Sequence, residues 1–308
     1  MRVATLLPSA TDMVLALGHE DDLVGVSHSC DLPANVKPLR RLTATVVPSE
    51  RSSETIDTFV RDHLNTNTAL YELDIPALEK AAPDVIVSQG LCDVCAVATG
   101  DVEEAIASLP GKPTLVDLNP NNLDDIFTDL RRLGDVLGST DRATELEASL
   151  RQRVAQVAEQ SRRITGPSRP KVAFLEWLKP LFNAGHWNPE LVELAGATEV
   201  LGRPGLPSQT TDIEQLVAAD PDILMIACCG YRVPETLADL RAMDEIPEWR
   251  NLRAVSGGRV FVADGQDYFA RPSPSVVDAL ERLAVTLHPT DFPSLLAAPF
   301  RKASNFTY

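Results

Sequence analysis

The sequence predicts an α/β protein of two similar lobes, each built on a central sheet, joined by one long α-helix, with a ligand cleft between the lobes. Three observations carry this prediction. The block Asp74 to Val87, DIPALEKAAPDVIV, recurs as Asp212 to Met225, DIEQLVAADPDILM, at a constant offset of 138 with six identities in fourteen positions. The two halves also open alike, with Val3-Ala-Thr-Leu-Leu leading to Leu17-Gly18 and Asp22-Leu-Val-Gly25, and Val172-Ala-Phe-Leu leading to Ala195-Gly196 and Glu199-Val-Leu-Gly202. Between them lies an uninterrupted polar stretch with an apolar stripe, Leu146, Leu150, Val154 and Val157, at helical spacing. The boundaries follow as residues 1–138 for the first lobe, 139–166 for the connecting helix and 167–308 for the second lobe.

Each element has a local reason. Val3 to Leu7 and Leu23 to Val26 are short aliphatic runs bounded by turn residues, hence strands. Asp74 and Asp212 stand as N-caps before short helices, each helix ends at a Pro-Asp turn, and each turn releases a buried aliphatic strand, Val85 to Val87 and Ile223 to Met225. Ser139 or Thr140 caps the long helix, Glu147 sits four residues before Arg151, and Gly166-Pro-Ser-Arg-Pro170 stops it. About 24 residues at roughly 1.5 Å each make a rod near 36 Å, stiffer than crossed strands, so hinge closure is limited and the cleft is the natural ligand site. The tail from His288 to Tyr308 is punctuated by prolines and packs on a lobe surface or frays.

Composition excludes several classes of function. The 308 residues suit roughly two domains, and 44% hydrophobic content supplies their cores. A formal charge of −16, with 44 acidic side chains and no basic run longer than Arg40-Arg41, Arg131-Arg132 or Arg162-Arg163, argues against a nucleic-acid partner. No apolar run approaches the roughly 20 residues of a membrane span. Met1-Arg2 leads straight into the first strand without a signal-peptide core, so the chain as it stands reads as cytoplasmic, or periplasmic only if a leader was removed. Five cysteines, an odd number in a reducing compartment, do not form a disulfide framework. Neither a P-loop, a dinucleotide fingerprint, an HExxH helix nor a GxSxG elbow occurs, which points away from an enzyme.

Candidate ligand residues lie just beyond strand ends, where open α/β sheets bind ligands. Val85 to Val87 delivers Gln89, Cys92 and Cys95; the matching strand delivers Cys228, Cys229 and Tyr231. Ser27 to Asp31 brings His28 and Cys30, and Asp264 to Pro272 brings Gln266, Tyr268, Phe269 and Arg271. The stretch from Glu176 to Trp187 contributes Trp177, His186 and Trp187. For a flat apolar macrocycle edged by amides, Trp177, Trp187, Tyr231, Tyr268 and Phe269 supply faces and Gln89, Gln266 and Arg271 supply donors. His186 is placed to replace an axial metal ligand. Cys92-x-x-Cys95 is either the lip of that pocket or part of a transition-metal site for zinc or iron drawing on His28, Cys30, Cys92, Cys95 and His186. Cys228 and Cys229 read as buried small hydrophobes, and His19, His63 and His288 take no role.

In their order along the chain, Leu6-Leu-Pro-Ser-Ala-Thr-Asp12, Val24-Gly-Val-Ser-His28, Pro83-Asp-Val-Ile86, Leu194-Ala-Gly196, Asp220-Pro-Asp-Ile223 and Asp264 to Pro272 resemble the helical-backbone substrate-binding proteins of ABC importers. The resemblance runs essentially end to end and is nearest to the cobalamin-binding branch. Cys92-x-x-Cys95 and the Glu176-Trp177 to Gly185-His186-Trp187 motif are similar to those of a leaderless subgroup. The resemblance implies non-catalytic capture of a bulky metal chelate, cobalamin or a related corrinoid, with Glu103 or Glu104 and Glu235 as candidates for docking a transporter's membrane subunit. A start without a leader argues against that partner. The alternative is a cytoplasmic metal-binding, storage or sensing protein using the Cys and His ligands.

Overall fold

The computed structural model describes residues 1–48, 52–66, 69–90, 97–165, 169–295 and 297–306. In chain order the first half forms β1 (Val3–Thr5), α1 (Pro8–Ala16), β2 (Leu23–Val26), β3 (Arg40–Arg41), β4 (Thr43–Thr45), α2 (Ser53–Asn65), β5 (Tyr71–Leu73), α3 (Ile75–Ala81), β6 (Val85–Ser88), α4 (Thr99–Ser108), β7 (Thr114–Asp117) and α5 (Leu123–Leu137). The long helix α6 (Thr140–Ser161) follows. The second half forms β8 (Lys171–Leu178), β9 (Leu181–Asn183), α7 (Asn188–Leu194), β10 (Thr198–Glu199), β11 (Thr210–Thr211), α8 (Ile213–Ala219), β12 (Ile223–Ile226), α9 (Val233–Met243), α10 (Pro247–Asn251), α11 (Arg253–Ser256), β13 (Val260–Val262), α12 (Ser275–Leu287) and β14 (Arg301–Lys302). A π-helical turn, Gly265–Phe269, stands between β13 and α12.

Two compact units result. One comprises Met1–Glu50, Thr58–Pro120 and Asp124–Glu147, the other Arg51–Asp57, Asn121–Leu123 and Ala148–Tyr308. In the first, five parallel strands run in the order β3-β2-β1-β6-β7. In the second, the order is β11-β9-β8-β12-β13-β14, with β10 pairing along the start of β8. Its centre, β10, β8, β12 and β13, is parallel, while β9, β11 and β14 are antiparallel additions. Strands β1, β6 and β12 are buried along their whole length, as expected of parallel strands covered on both faces.

The recurring block makes the same key contacts within each unit. Asp74 accepts the Ala77 N–H at 2.8 Å and caps α3; Asp212 accepts the Gln215 N–H at 2.7 Å and caps α8. Both helices end on a left-handed residue that is not glycine, Ala82 at φ 41° and Asp220 at φ 45°. The aspartate of each Pro-Asp turn then clamps the first strand of its own sheet. Asp84 Oδ2 takes the Arg2 N–H and Asp222 Oδ2 the Lys171 N–H, each at 2.8 Å. A carboxylate at that point satisfies a backbone donor at the strand start that the neighbouring ladder leaves open. The fourteen-residue match is therefore a packing unit with the same capping chemistry in both places.

Helix α6 spans 22 residues, about 33 Å at 1.5 Å per residue. Leu150 and Val157 of its apolar stripe are buried, and Leu146 and Val154 half-buried. Its start differs from the sequence expectation. The Ser139 hydroxyl bonds the Gly134 carbonyl at 3.5 Å and Thr140 Oγ1 bonds Asp135 Oδ1 at 2.8 Å, so both turn back to α5. Glu147 takes Arg131 of α5 at 2.9 Å. Farther along, the Arg153 guanidinium bridges Glu281 at 2.8 Å and Asp278 at 2.5 Å, fastening α6 to α12. In the tail, the buried Phe292 and Phe300 pack rather than fray.

Candidate functional site

In the second unit, three segments leave the carboxyl ends of parallel strands and knit into one ledge. After β8 come the β8–β9 hairpin and the turn Gly185 to Asn188; after β12 come Cys228 to Tyr231; after β13 comes Asp264 to Arg271. Gly265 and Gln266 both donate their N–H to the Tyr231 carbonyl, at 3.1 and 3.2 Å. Trp187 Nε1 and Asn188 Nδ2 both donate to the Phe269 carbonyl, at 3.1 and 3.3 Å. The Cys229 N–H donates to the Glu176 carbonyl at 3.0 Å. Two glycines make this approach possible: a Cβ on Gly265 would lie 2.0 Å from the Cys228 carbonyl oxygen, and one on Gly185 would lie 2.1 Å from the Ser208 nitrogen.

Glu176 is the polar centre of the ledge. Its Oε1 accepts the Gly185 N–H at 3.1 Å and Asn188 Nδ2 at 2.6 Å, and its Oε2 accepts the Ser208 hydroxyl. Burial pushes its carboxyl above the ordinary range, against the pull of those donors. The turn it holds places His186 at φ 53°, a left-handed conformation unusual for a side-chain-bearing residue. Both backbone groups of His186 are fixed, its N–H on the Leu206 carbonyl at 2.6 Å and its carbonyl on the Gly205 N–H at 2.9 Å. The imidazole is half-buried, and burial lowers its pKa, which favours the neutral ring. It has no hydrogen-bond partner among the described residues and lies 5.7 Å from the Trp187 ring.

The aromatic residues divide into two sets. Trp177 is half-buried, packs its ring 4.9 Å from Tyr231 and donates Nε1–H to the Ser53 carbonyl at 3.3 Å. Tyr268 is half-buried, with the Arg282 guanidinium 4.8 Å from its ring centre. Trp187, Tyr231 and Phe269 correct the sequence expectation that they offer open faces: they are 4%, 6% and 1% exposed. Trp187 is spent on the Phe269 carbonyl, and Phe269 meets Phe174 edge to face at 4.9 Å. Arg271 is also buried, its guanidinium 3.8 Å from Asp267 on the same turn. Gln266 is half-buried on the ledge.

In the first unit, Gln89 is buried at the end of β6. His28 is half-buried, its Nδ1 2.8 Å from Thr43 Oγ1, and burial lowers its pKa with Arg41 assisting. Cys30 is 2% exposed, its thiol 3.1 Å from Thr11 Oγ1, and burial pushes that thiol up, away from the thiolate a metal needs. Cys92 and Cys95 lie outside the described residues. Among the described residues no group of three or more His, Cys, Asp or Glu side chains is arranged to hold a metal ion, so the cysteine–histidine metal site gains no support. Cys228 is buried as expected; Cys229 corrects that expectation and is exposed. His63 stacks on Phe59 at 3.9 Å and His288 is buried on the Gly196 carbonyl at 3.0 Å. Glu103, Glu104 and Glu235 are exposed, on α4 and α9.

The residues that sequence reasoning missed are Glu176's partners, Asn188 and Ser208. Ser208 is 32 positions away from Glu176, and no periodicity links them. Among the described residues no helix is long and apolar enough to cross a membrane.

Comparison with known proteins places the chain. The periplasmic binding protein family matches residues 3–266. A vitamin B12-binding protein of Vibrio cholerae serotype O1 is 23% identical over 295 residues, covering 93% of this chain and 88% of its own length. One from Yersinia pestis is 24% identical over 287 residues, covering 92% and 84%. Among solved structures, a periplasmic heme-binding protein from Roseiflexus sp. RS-1 superposes with a TM-score of 0.70 at 20% identity, over 94% of this chain and 98% of that one. The vitamin B12-binding protein of Vibrio cholerae gives 0.64 at 20% identity, over 93% and 96%. With two α/β lobes, a long helix and a match across most of its length, the chain belongs to the periplasmic binding protein family.

Proposed function

We propose that this protein captures a bulky metal chelate without chemical change, and that the chelate is cobalamin or a related corrinoid. The observation that carries the reading is the strand-end ledge of the second unit, where the half-buried rings of Trp177 and Tyr268 and the half-buried amide of Gln266 stand on one hydrogen-bonded framework with the imidazole of His186. An amphipathic macrocycle needs this combination of aromatic surface with a few polar groups. The vitamin B12-binding relatives, similar over more than nine-tenths of the chain, support a corrinoid as the chelate. The heme-binding neighbours make an iron porphyrin the second reading. The exposed carboxylates of Glu103, Glu104 and Glu235 are compatible with docking on a transporter, a partner this reading does not require.

The test is direct. The purified protein is mixed with aquocobalamin, desalted, and its visible spectrum recorded. Corrinoid absorbance co-eluting near one equivalent is the expected result. A colourless protein fraction with aquocobalamin, but a coloured one with iron(III) protoporphyrin, replaces the corrinoid by the porphyrin. Colourless fractions with both overturn chelate capture.

A further inference from the structure

We infer that His186 is the side chain that coordinates the metal of the bound chelate, and that Glu176, with Asn188 and Ser208, is the positioning set that holds its imidazole ready. This rests on the chelate-capture reading above and deepens it. Three facts converge. First, among the described residues the His186 imidazole has no hydrogen-bond partner, in a framework where the neighbouring Trp187 Nε1 and Asn188 Nδ2 both donate. Half-burial without a partner leaves a nitrogen lone pair available in a neutral ring, the form that binds transition metals.

Second, the backbone conformation is one that a residue with a side chain adopts at a cost. A left-handed φ of 53° is strained for any residue with a Cβ and persists only where the surroundings impose it. The surroundings impose it here from both sides, through the Leu206 carbonyl and the Gly205 N–H. A glycine would fit the turn without that cost, yet the position carries an imidazole. The adjoining Gly185 has room for no side chain at all, so the only ring the turn presents with an open edge is that of residue 186.

Third, a carboxylate is drawn inward with no cation against it among the described residues, and each of its donors belongs to the turn or to the segment packed against it. Glu176 Oε1 fixes Gly185 and Asn188, on either side of His186, and Oε2 fixes Ser208, whose backbone backs Gly185. Removing the carboxylate from water costs free energy that packing alone does not require. Such a group makes sense as a brace behind a metal-binding side chain: it fixes the backbone turn from which the ring projects, without touching the ring itself. The chelate class follows from the ligand count. One imidazole suffices only for a metal already held by a macrocycle with one exchangeable axial position; on binding, a nitrogen lone pair of His186 replaces axial water, which leaves as water, and no electron is transferred.

The experiment compares wild type, His186→Ala, Glu176→Ala, Glu176→Gln and Ser208→Ala, each loaded with aquocobalamin and separately with iron(III) protoporphyrin, desalted and read for both co-eluting chelate and band position. Wild type is expected to carry chelate with its band displaced from the water-ligated position. His186→Ala is expected to carry it with the water-ligated spectrum and weaker affinity. Glu176→Ala shifts toward the His186→Ala behaviour. Glu176→Gln keeps the displaced band, because its carbonyl still accepts from Gly185 and Asn188 while its amide donates to Ser208. Ser208→Ala gives an intermediate loss, and serves as the positioning test if Glu176→Ala does not fold. Chelate that co-elutes with a water-ligated spectrum in wild type, or a displaced band that survives in His186→Ala, overturns this inference and leaves chelate capture standing. Absence of both chelates from the wild-type fraction overturns the two together.

Discussion

Glu199 offers a test of how burial and hydrogen bonding compete. On β10 its Oε1 accepts the Leu201 and Gly202 N–H groups, both at 3.0 Å, and its Oε2 accepts the Phe174 N–H at 3.1 Å, tying β10 to β8. Burial raises its pKa from 4.5 to about 8, and the backbone donors recover only part of the cost. A carboxyl raised in the folded state binds a proton there that the unfolded chain has already lost. Its contribution to stability is therefore complete below the unfolded pKa and is lost as pH rises through about 8. At about 1.4 kcal/mol per unit, the whole displacement corresponds to about 5 kcal/mol, of which about 1 kcal/mol disappears between pH 7 and pH 8. In that interval His28, His186 and His288, whose pKa values burial lowers in the folded state, are mostly neutral in the unfolded chain too, and their small opposing contribution is common to wild type and Glu199→Gln. The assay is urea unfolding followed by tryptophan fluorescence at pH 7 and 8, with Trp177, Trp187 and Trp249 all reporting from the second unit. Glu199→Gln is expected to lose about 1 kcal/mol less than wild type over that step. Below about pH 4, where the wild-type carboxyl is protonated in both states, it is less stable by about 1–3 kcal/mol, because an amide NH₂ faces the Phe174 donor. Equal losses in the two proteins, or wild-type stability that rises from pH 7 to 8, would falsify the assignment of burial as the dominant effect.

Four further outcomes follow from named contacts. Ala82→Gly relieves a left-handed helix end and should raise stability by about 0.5–1 kcal/mol in denaturant titration; a loss would mean that the Ala82 methyl does more than strain the cap. Trp249→Ala, at a side chain 1% exposed in the core of the second unit, should cost about 3–5 kcal/mol in the same titration. Brief treatment of the native protein with a maleimide, followed by peptide mapping, should modify the exposed Cys229 and spare Cys30 and Cys228, whose thiols burial pushes up; labelling of Cys228 before unfolding would contradict its placement. Gly265→Ala puts a methyl 2.0 Å from the Cys228 carbonyl oxygen and should weaken chelate retention after desalting by tenfold or more, whereas unchanged retention would separate the ledge from binding.

The legible part of this protein is the part governed by nearest neighbours in sequence. Asp74 and Asp212 cap the helices that follow them because the cap partner is three residues on, and the 138-residue offset carries over to the left-handed helix ends and the strand clamps of Asp84 and Asp222. The ledge was legible only by position. Strand ends identified the segments around Trp177, His186, Tyr231 and Gln266, but not which side chains face outward, because a loop has no periodicity from which to read a face. Trp187 and Phe269 turned inward to brace one another, and Arg271 is buried beside Asp267. Cys229 turned outward beside its buried neighbour Cys228.

By itself, then, the sequence determined two α/β halves, their shared capping chemistry, the long helix and the family, since all of these rest on hydrophobic period, caps and ordered motifs that act over a few residues. Only the tertiary structure decided the use of each loop residue. Glu176 meets Ser208 from 32 positions away, and the Trp187 indole meets the Phe269 carbonyl from 82 away. Such pairings are set by how the strands of the second sheet stack and where close-packed glycines let loops touch, and in that way His186 is left with an unspent imidazole while its neighbours are consumed in holding the turn.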